Sequence, residues 1–423
     1  MRVSFVIVVL FAAMLFWQFL EHGASSSSAK VVERKVLPMD VSYETMEARS
    51  YLNSIRELMQ MERLAENTQL KTAAQAHADY LVLNNESAHE EITGHKNFTG
   101  IRPVERAFHA GYNSSQVSEN LSTKNPNART SVDGLLSAIY HRFGFLSPSI
   151  DQIGVGVTQD MNDSIKSAFV YLMGNSALNQ LCLGRNFSGS GKYIYRVCKE
   201  SEHRIKEKEF YRSLHYSKQN NPKIILYPYD GEEEVPPAFY SEIPDPLPDY
   251  EVSGFPVSVE FNDHFFKKVT LHSFKLYEEG GKEIKDVRLM DRSSDPHQKF
   301  TENQYALFPL HRLEYDQKYR AEVIYGVKGK KETLTWYFQT QKPTEEFHLI
   351  TQKEETISID PSKSHIIYFR PHDPHDIIKN IQFPADIDIS FLDNNTIKLT
   401  LMCDEIDDFD ITSDTRHLYI EVK

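Results

Sequence analysis

The spacing of apolar residues changes once within the first half of this sequence, and that change constrains the fold more than any other feature. Across residues 47–140 apolar side chains recur every three or four positions, as at Leu52 and Ile55. From Ile153 onward they alternate with other residues. The first pattern is typical of amphipathic helices and the second of β-strands. Helices followed by a small sheet predict that residues 43–200 form an α+β domain rather than a parallel α/β domain.

Prolines mark the next segment, residues 201–250. A charged amphipathic piece comes first, and six prolines then occur among acidic residues between Pro228 and Pro248. Proline lacks a backbone donor and fixes φ, so this density disfavours a helix. The segment is therefore predicted to be an extended, proline-rich linker.

Short alternating strands return in residues 251–343, and this pattern predicts an antiparallel β-sandwich. Leu313 and Tyr319, close after a Leu-Phe-Pro sequence, resemble the corner of immunoglobulin-like domains, and Trp336 is predicted to be in the core. Residues 344–423 form a third, smaller β-rich piece with 7 basic and 17 acidic residues. Its densest acidic patch lacks the glycine and ligand spacing of an EF-hand, so we expect a solvated acidic surface there.

The N-terminus indicates the compartment. Arg2 precedes an apolar run, residues 3–20, and small polar residues follow up to residue 29. These are features of a secretory signal peptide, which we prefer to an uncleaved anchor because the run is short for a spanning helix. In either case the positive-inside bias places the rest of the chain outside the cytoplasmic membrane. We expect a secreted, periplasmic or cell-envelope protein that touches the membrane only through residues 1–29, if these are retained.

Cysteine content and net charge add three further expectations. Cys182 and Cys198 flank a segment predicted to be a turn between two short strands, and a disulfide closing that loop would stabilise the fold by about 3 kcal/mol. Cys403 is expected to be a buried thiol. The net charge of −13, from 47 basic and 60 acidic residues, argues against a nucleic-acid partner held by phosphate contacts.

Several familiar catalytic motifs fail on spacing. His89-Glu90 is followed by His95, which is two residues too far for a zinc-protease helix. The sequence has neither a G-x-S-x-G elbow nor a glycine-rich phosphate loop. A His-Asp-Pro-His-Asp stretch starting at His372 has metal-ligand residue types, but its prolines predict a turn.

The remaining candidates lie in the α+β domain, and their order carries a resemblance. Ser87-Ala88-His89, Ser118-Glu119-Asn120 and His141-Arg142 occur on or beside predicted helices and a glycine-rich strand. The other matching segments are Leu52-Asn53-x-x-Arg56, Ala73-Ala74-x-x-His77-Ala78, Arg106-x-x-x-Ala110-Gly111-Tyr112 and Gly154-Val155-Gly156-Val157. Together they resemble the CAP domain in its bacterial form, the family of cysteine-rich secretory proteins, antigen 5 and plant pathogenesis-related proteins. More loosely, Glu242-x-Pro244-x-Pro246 ahead of a sandwich looks like bacterial secreted CAP proteins with appended β domains.

The resemblance implies a fold and a set of site residues. It implies a three-layer α-β-α sandwich, followed here by the immunoglobulin-like β-sandwich and the small β-rich domain. It assigns His89 and His141 to a histidine pair that binds a divalent metal ion such as zinc, with Glu119 as the acidic member of the site. Many eukaryotic relatives carry a Trp and a second Glu on the helix before the last histidine. This chain has neither, and Asp133 is the nearest acid.

Two functions remain open. The first hypothesis is a non-enzymatic, exported binding protein whose cleft takes a divalent metal ion or a small apolar ligand, with a lipid, peptide or glycan of the cell envelope or exterior as partner. The alternative is a metal-assisted hydrolase of peptide or cell-wall bonds, with His89, Glu119 and His141 as catalytic residues and Glu119 as base. The missing second acid and the absence of a third strong ligand favour the binding protein.

Overall fold

The computed structural model describes residues 30–31, 37–162, 165–384, 387–402 and 406–423. The predicted signal peptide and Cys403 lie outside the described residues. The helices are α1 (Val41–Leu58), α2 (Thr68–Asn84), α3 (Pro103–His109), α4 (Ala128–Ser137), α5 (Ile139–Phe145), α6 (Ser176–Leu183) and α7 (Glu207–Gln219).

The strands are β1 (Lys30–Val31), β2 (Ala65–Glu66), β3 (Val117–Thr123), β4 (Gln152–Gln159), β5 (Ser167–Gly174), β6 (Tyr193–Ile194), β7 (Ile205–Lys206), β8 (Ile224–Tyr227), β9 (Glu232–Val235), β10 (Ala238–Phe239), β11 (Ser253–Gly254), β12 (Val257–Phe261), β13 (Thr270–Glu278), β14 (Val287–Met290), β15 (Gln304–Pro309), β16 (Lys318–Val327), β17 (Lys330–Thr340), β18 (Glu346–Ile350), β19 (Glu354–Ile359), β20 (Ser364–Phe369), β21 (Asn380–Gln382), β22 (Ile387–Asp393), β23 (Thr396–Leu401), β24 (Phe409–Ser413) and β25 (His417–Val422).

The predicted α+β class is confirmed by the first part of the chain. Strands β2, β4, β5 and β3 form one sheet in that order. Alternate residues of β5 point to opposite faces: Phe169 and Tyr171 pack with α1 and α4, whereas Val170 and Leu172 pack with α2. The sheet therefore lies between helices on both sides, as a three-layer α-β-α sandwich.

Two glycines of β4 allow α2 to approach the sheet closely. A Cβ added at Gly154 would lie 2.0 Å from the backbone nitrogen of Lys71, and one at Gly156 would lie 2.3 Å from the carbonyl carbon of Ala74. Only glycine fits at such a contact. Asn67 caps the same helix, because its side-chain oxygen accepts a hydrogen bond from the Leu70 N–H at 3.0 Å.

Residues 201–250, predicted to be an extended linker, instead contain regular secondary structure. Residues 201–250 include α7, β8, β9 and β10. Strand β8 pairs with β12 in one four-stranded sheet, and β9 pairs with β17 in a second. The prolines flank these short strands instead of interrupting them, so the segment supplies an edge strand to each sheet.

The two sheets, β14-β15-β12-β8 and β13-β16-β17-β9, contribute buried residues to one core, as the two layers of a sandwich do, and their strand pairs are antiparallel except for β9 with β17. Trp336 is fully buried, as predicted, and the Tyr319 hydroxyl accepts a hydrogen bond from the Glu314 N–H at 3.0 Å. The α-β-α domain and this sandwich belong to one compact unit, within Arg34–Lys342 and Asp373–His375.

Arg142, on α5, links the α-β-α domain to the sandwich. Its Nη1 donates to the carbonyl oxygen of Pro256 at 2.6 Å and to the Ser258 hydroxyl at 3.1 Å, and its guanidinium lies 4.9 Å from the centres of the Tyr227 and Phe255 rings. The side chain is fully buried, and desolvation lowers its pKa to about 10.

The second compact unit contains β1, Pro343–His372 and Asp376–Lys423. It has a sheet ordered β18-β20-β23-β22 and another ordered β1-β21-β24-β25-β19. Buried aliphatic and aromatic residues from both sheets, including Ile367, Leu399 and Ile420, form its core.

A disulfide joins Cys182 and Cys198, which confirms the predicted pairing. Cys182 lies on α6 and not on a strand, so the local structure differs from the expected hairpin. Within the described residues, no helix is both long and apolar enough to cross a membrane.

Candidate histidine cleft

Strand β3 holds the two candidate histidines through adjacent residues. The Glu119 Oε1 lies 3.1 Å from the Nδ1 of His89. The Asn120 side-chain amide donates to the backbone carbonyl of His141 at 2.7 Å. Adjacent residues of a strand point to opposite faces. The Glu-Asn pair therefore orients the ring of one histidine and fixes the backbone of the other.

Arg106, on α3, fixes Glu119 from the protein interior. Its Nη2 lies 2.8 Å from each carboxylate oxygen of Glu119 and 2.9 Å from the backbone oxygen of His89, and its side chain is fully buried. Burial raises the pKa of Glu119, but the hydrogen bond with His89 and the charge of Arg106 lower it by more, so the pKa lies below its usual value. Glu119 is therefore ionised at neutral pH, and the Nδ1 of His89 is the donor in their hydrogen bond.

His141 has a carboxylate partner that sequence reasoning did not assign to the site. The Oε2 of Glu242 lies 2.8 Å from the Nδ1 of His141, and the backbone N–H of Tyr140 lies 3.2 Å from both oxygens of Glu242. Glu242 comes from the segment predicted to be a linker, 101 residues from His141. Its place in the Glu-x-Pro-x-Pro motif was the available sequence signal, but nothing in that motif pairs it with a histidine.

The predicted residues His89, Glu119 and His141 lie together. The ring centroids of the two histidines are 6.1 Å apart, and their planes differ by 21°. The His89 side chain is 42% exposed and the His141 side chain 13%, so solvent reaches the pair, whereas Glu119 and Glu242 are 1% and 2% exposed. Each imidazole is thus held through Nδ1 by a buried carboxylate, and Nε2 is the nitrogen through which it could bind a ligand.

Two other candidates have structural partners. His77 is fully buried; its Nδ1 lies 3.0 Å from Glu91, and its Nε2 lies 3.1 Å from the backbone oxygen of Ala88 and 3.8 Å from Glu119, so it is a core histidine. Asp133 accepts a hydrogen bond from the Tyr51 hydroxyl at 2.8 Å. Burial raises the pKa of Asp133 to about 6. Glu242, and not Asp133, is therefore the second acid beside the histidines.

A second group of ligand-type residues lies in the other compact unit. Glu346, His348 and His365 each offer one ligand atom, and these atoms lie within 4.8 Å of one another. This group could hold a metal ion, and it was not among the residues predicted from the sequence.

Comparison with known proteins identifies the first domain. Residues 49–174 match the family model described as CAP, the cysteine-rich secretory protein family. This segment of the chain is a CAP domain, as its motifs predicted. Among proteins with curated descriptions, none matches the chain.

Solved structures of bacterial proteins resemble about a third of the chain. An outer surface protein of Borrelia burgdorferi is 18% identical, covers 33% of this chain and 98% of its own, and has a TM-score of 0.29. An extracellular protein with an SCP domain from Bacillus anthracis is 18% identical, covers 33% of this chain and 44% of its own, and has a TM-score of 0.28. A cysteine-rich secretory protein of Staphylococcus aureus is 13% identical, covers 32% and 40%, and has a TM-score of 0.25. The match thus spans less than half of the second and third proteins, and at these TM-scores it carries no argument about function.

Proposed function

We propose that this chain is an exported binding protein whose CAP cleft takes a divalent metal ion or a small apolar ligand between His89 and His141. One observation carries the proposal. Two imidazoles lie side by side at the surface, and each is oriented through Nδ1 by a buried carboxylate. This is how proteins prepare histidines to bind a metal through Nε2, because the carboxylate fixes the tautomer and raises the basicity of the ring.

The ring separation is compatible with a shared ion. A zinc ion bound at 2.0–2.1 Å from a histidine nitrogen lies roughly 3.2 Å from that ring's centre, so two rings on one tetrahedral ion have centres about 5.2 Å apart. The rings of His89 and His141 are 6.1 Å apart, so a shared ion requires the more exposed side chain, His89, to move by about 1 Å. Two imidazoles leave the remaining coordination positions to water or to a bound partner, so the site would be open and comparatively weak.

The carboxylates favour binding over hydrolysis. A general base must reach the water molecule that it deprotonates. Both oxygens of Glu119 are paired with the buried Arg106, and those of Glu242 lie next to the Tyr140 N–H and the His141 ring. Both side chains are almost fully buried, so their geometry suits the positioning of imidazoles better than the activation of water.

Other features support export and an extracytoplasmic partner. The N-terminal sequence has the features of a signal peptide, and the disulfide suits an oxidising compartment. We infer that the partner is a lipid, peptide or glycan of the envelope or exterior. The sandwich, which we assign as immunoglobulin-like from the bond between Tyr319 and Glu314, and the acidic β unit would act as spacers or envelope contacts.

The test compares the purified full-length mature protein with a His89→Ala/His141→Ala double variant. Zinc binding is measured by calorimetry, and hydrolysis is measured on peptide and cell-wall substrates. We expect the double variant to bind one zinc ion fewer, and we expect neither protein to hydrolyse substrate. His109→Ala, an exposed histidine of the same domain, is the matched control and should bind zinc like the wild type.

Two results would count against the proposal. Equal zinc binding by the double variant and the wild type would reject the metal ion as the ligand of the cleft and leave only the small apolar ligand. Hydrolysis that requires zinc and is lost in the double variant would assign the cleft to the hydrolase class.

A further inference from the structure

The second compact unit brings an acid and two histidines to one end of a sheet. Strands β18 and β20 are parallel neighbours, with Glu346 opposite His365. His348 lies two residues after Glu346 and so shares its face of the strand. His365 is fully buried, and on its other side it is opposite Leu399, a residue of the hydrophobic core. A buried histidine beside a hydrocarbon core requires partners for both ring nitrogens.

We propose that Glu346, His348 and His365 form a binding site for a divalent transition-metal ion, with zinc the best match. Two imidazoles and one carboxylate are a ligand set that zinc takes, with a fourth position left for water or an external ligand. The site is separate from the CAP cleft, and no residue is common to the two.

The hydrogen bonds of His365 leave the correct nitrogen for a metal. Its Nε2 lies 2.9 Å from the backbone oxygen of Asp360. A carbonyl oxygen only accepts, so Nε2 carries the proton and Nδ1 keeps its lone pair. Metal-bound histidines commonly donate their other N–H to a backbone carbonyl in this way. The Nδ1 of His365, which carries this lone pair, lies 3.1 Å from the Nε2 of His348.

The distances suit a tetrahedral ion after a small movement of one side chain. Ligands at 2.0–2.1 Å from zinc are about 3.4 Å from one another at tetrahedral angles. The two histidine nitrogens are already close to that separation. The three ligand atoms lie within 4.8 Å of one another. Glu346 is exposed, and its Oε2 lies 3.3 Å from the ammonium of Lys363, so its carboxylate can turn toward the histidines without disturbing the core.

The burial of the ligands is graded from the core to the surface. His365 is buried, His348 is half-buried and Glu346 is exposed. The ion would therefore bind at the rim of the core, where His365 is rigid and Glu346 faces solvent. A hydrogen bond between the two histidines explains their contact without a metal, and the experiment separates these two explanations.

The experiment uses the full-length mature protein carrying His89→Ala and His141→Ala, so that the CAP cleft does not contribute. The protein is stripped of metal with a chelator and titrated with Zn²⁺ by calorimetry. We expect one zinc ion per chain, and we expect Glu346→Gln or His348→Asn to weaken binding at least about tenfold. His372→Asn is the matched control, an exposed histidine of the same unit that should leave the affinity unchanged.

A second measurement tests the ligand atoms. In ¹⁵N spectra of the histidine rings, zinc should shift Nδ1 of His365 and Nε2 of His348. Glu346→Gln changes an exposed side chain, so circular dichroism of the metal-free variant should match that of its parent. Absence of saturable zinc binding, or an affinity that neither Glu346→Gln nor His348→Asn changes, would overturn the proposal and leave a structural histidine pair.

Discussion

Glu242→Gln tests whether the segment after the CAP domain completes the histidine cleft. The substitution keeps the shape of the side chain and an oxygen that can accept from the Tyr140 N–H and the His141 Nδ1–H. It removes the negative charge 2.8 Å from that ring nitrogen. The carboxylate is 2% exposed, so water does not screen the loss.

The magnitude follows from the role of the hydrogen bond. A carboxylate that orients a metal-binding imidazole typically contributes about 10–100-fold to metal affinity. This corresponds to about 1.4–2.8 kcal/mol of binding free energy. A hydrogen bond to a charged acceptor contributes about 1 kcal/mol more free energy than one to a neutral acceptor. This difference is close to the lower end of that range.

The assay is zinc calorimetry on the full-length mature protein carrying His348→Asn, which weakens the second candidate site. We expect Glu242→Gln to reduce the affinity of the remaining site at least tenfold, or by about 1.4 kcal/mol. Glu233→Gln, an exposed acid of the same segment, provides the control and should not change the affinity. An unchanged affinity for Glu242→Gln would refute the view that this carboxylate supports His141 as a ligand.

Three further outcomes follow from buried charges and the disulfide. Glu119→Gln removes the negative charge 2.8 Å from buried Arg106 and leaves Glu91 at 3.8 Å, so it should lower the free energy of unfolding in urea by about 3 kcal/mol, the lower end for a broken buried ion pair; a loss below about 1 kcal/mol would contradict this role. The depressed pKa of Glu119 means that this stabilisation is present above the ordinary glutamate pKa and is lost as pH falls through the folded value. Burial raises the pKa of Glu260 from 4.5 to about 7, so its ionisation destabilises the fold as pH rises through that range. Glu260→Gln should remove up to about 3 kcal/mol of this loss, and parallel pH profiles would exclude it. Cys182→Ser should lower the free energy of unfolding by about 3 kcal/mol in oxidising buffer, and equal stability of the wild type with and without reductant would show that the bond contributes nothing.

Local patterns were sufficient to predict much of the fold. The change from helical to alternating spacing placed the helices before the sheet, and the short separation of Cys182 and Cys198 predicted their disulfide. The extended linker was the less accurate expectation. A high density of prolines disfavours a helix but does not exclude short β-strands. The apolar residues Ile224–Tyr227 pair with β12, and nothing local in the sequence indicates that partner.

The two candidate sites show where sequence reasoning reaches its limit. His89, Glu119 and His141 could be found because they occur within recognisable motifs of one domain. Glu242 joins them from across 101 residues, and its identity as a partner depends on tertiary packing. In the second unit, Glu346 and His348 share a strand face by simple alternation, but His365 joins them only through the register of two parallel strands.

Because Arg142 is anchored in the sandwich, this CAP region is not an independent domain that could be exchanged between proteins. Arg142, the residue after His141, donates hydrogen bonds to the backbone oxygen of Pro256 and to the Ser258 hydroxyl. Glu242, the acid beside His141, comes after β8 and β9, which belong to the two sheets of the sandwich. A fragment cut after residue 200 would lose both supports. A different neighbouring domain would have to supply equivalent hydrogen-bond partners. Gene recombination that exchanges whole domains is therefore disfavoured at this domain boundary.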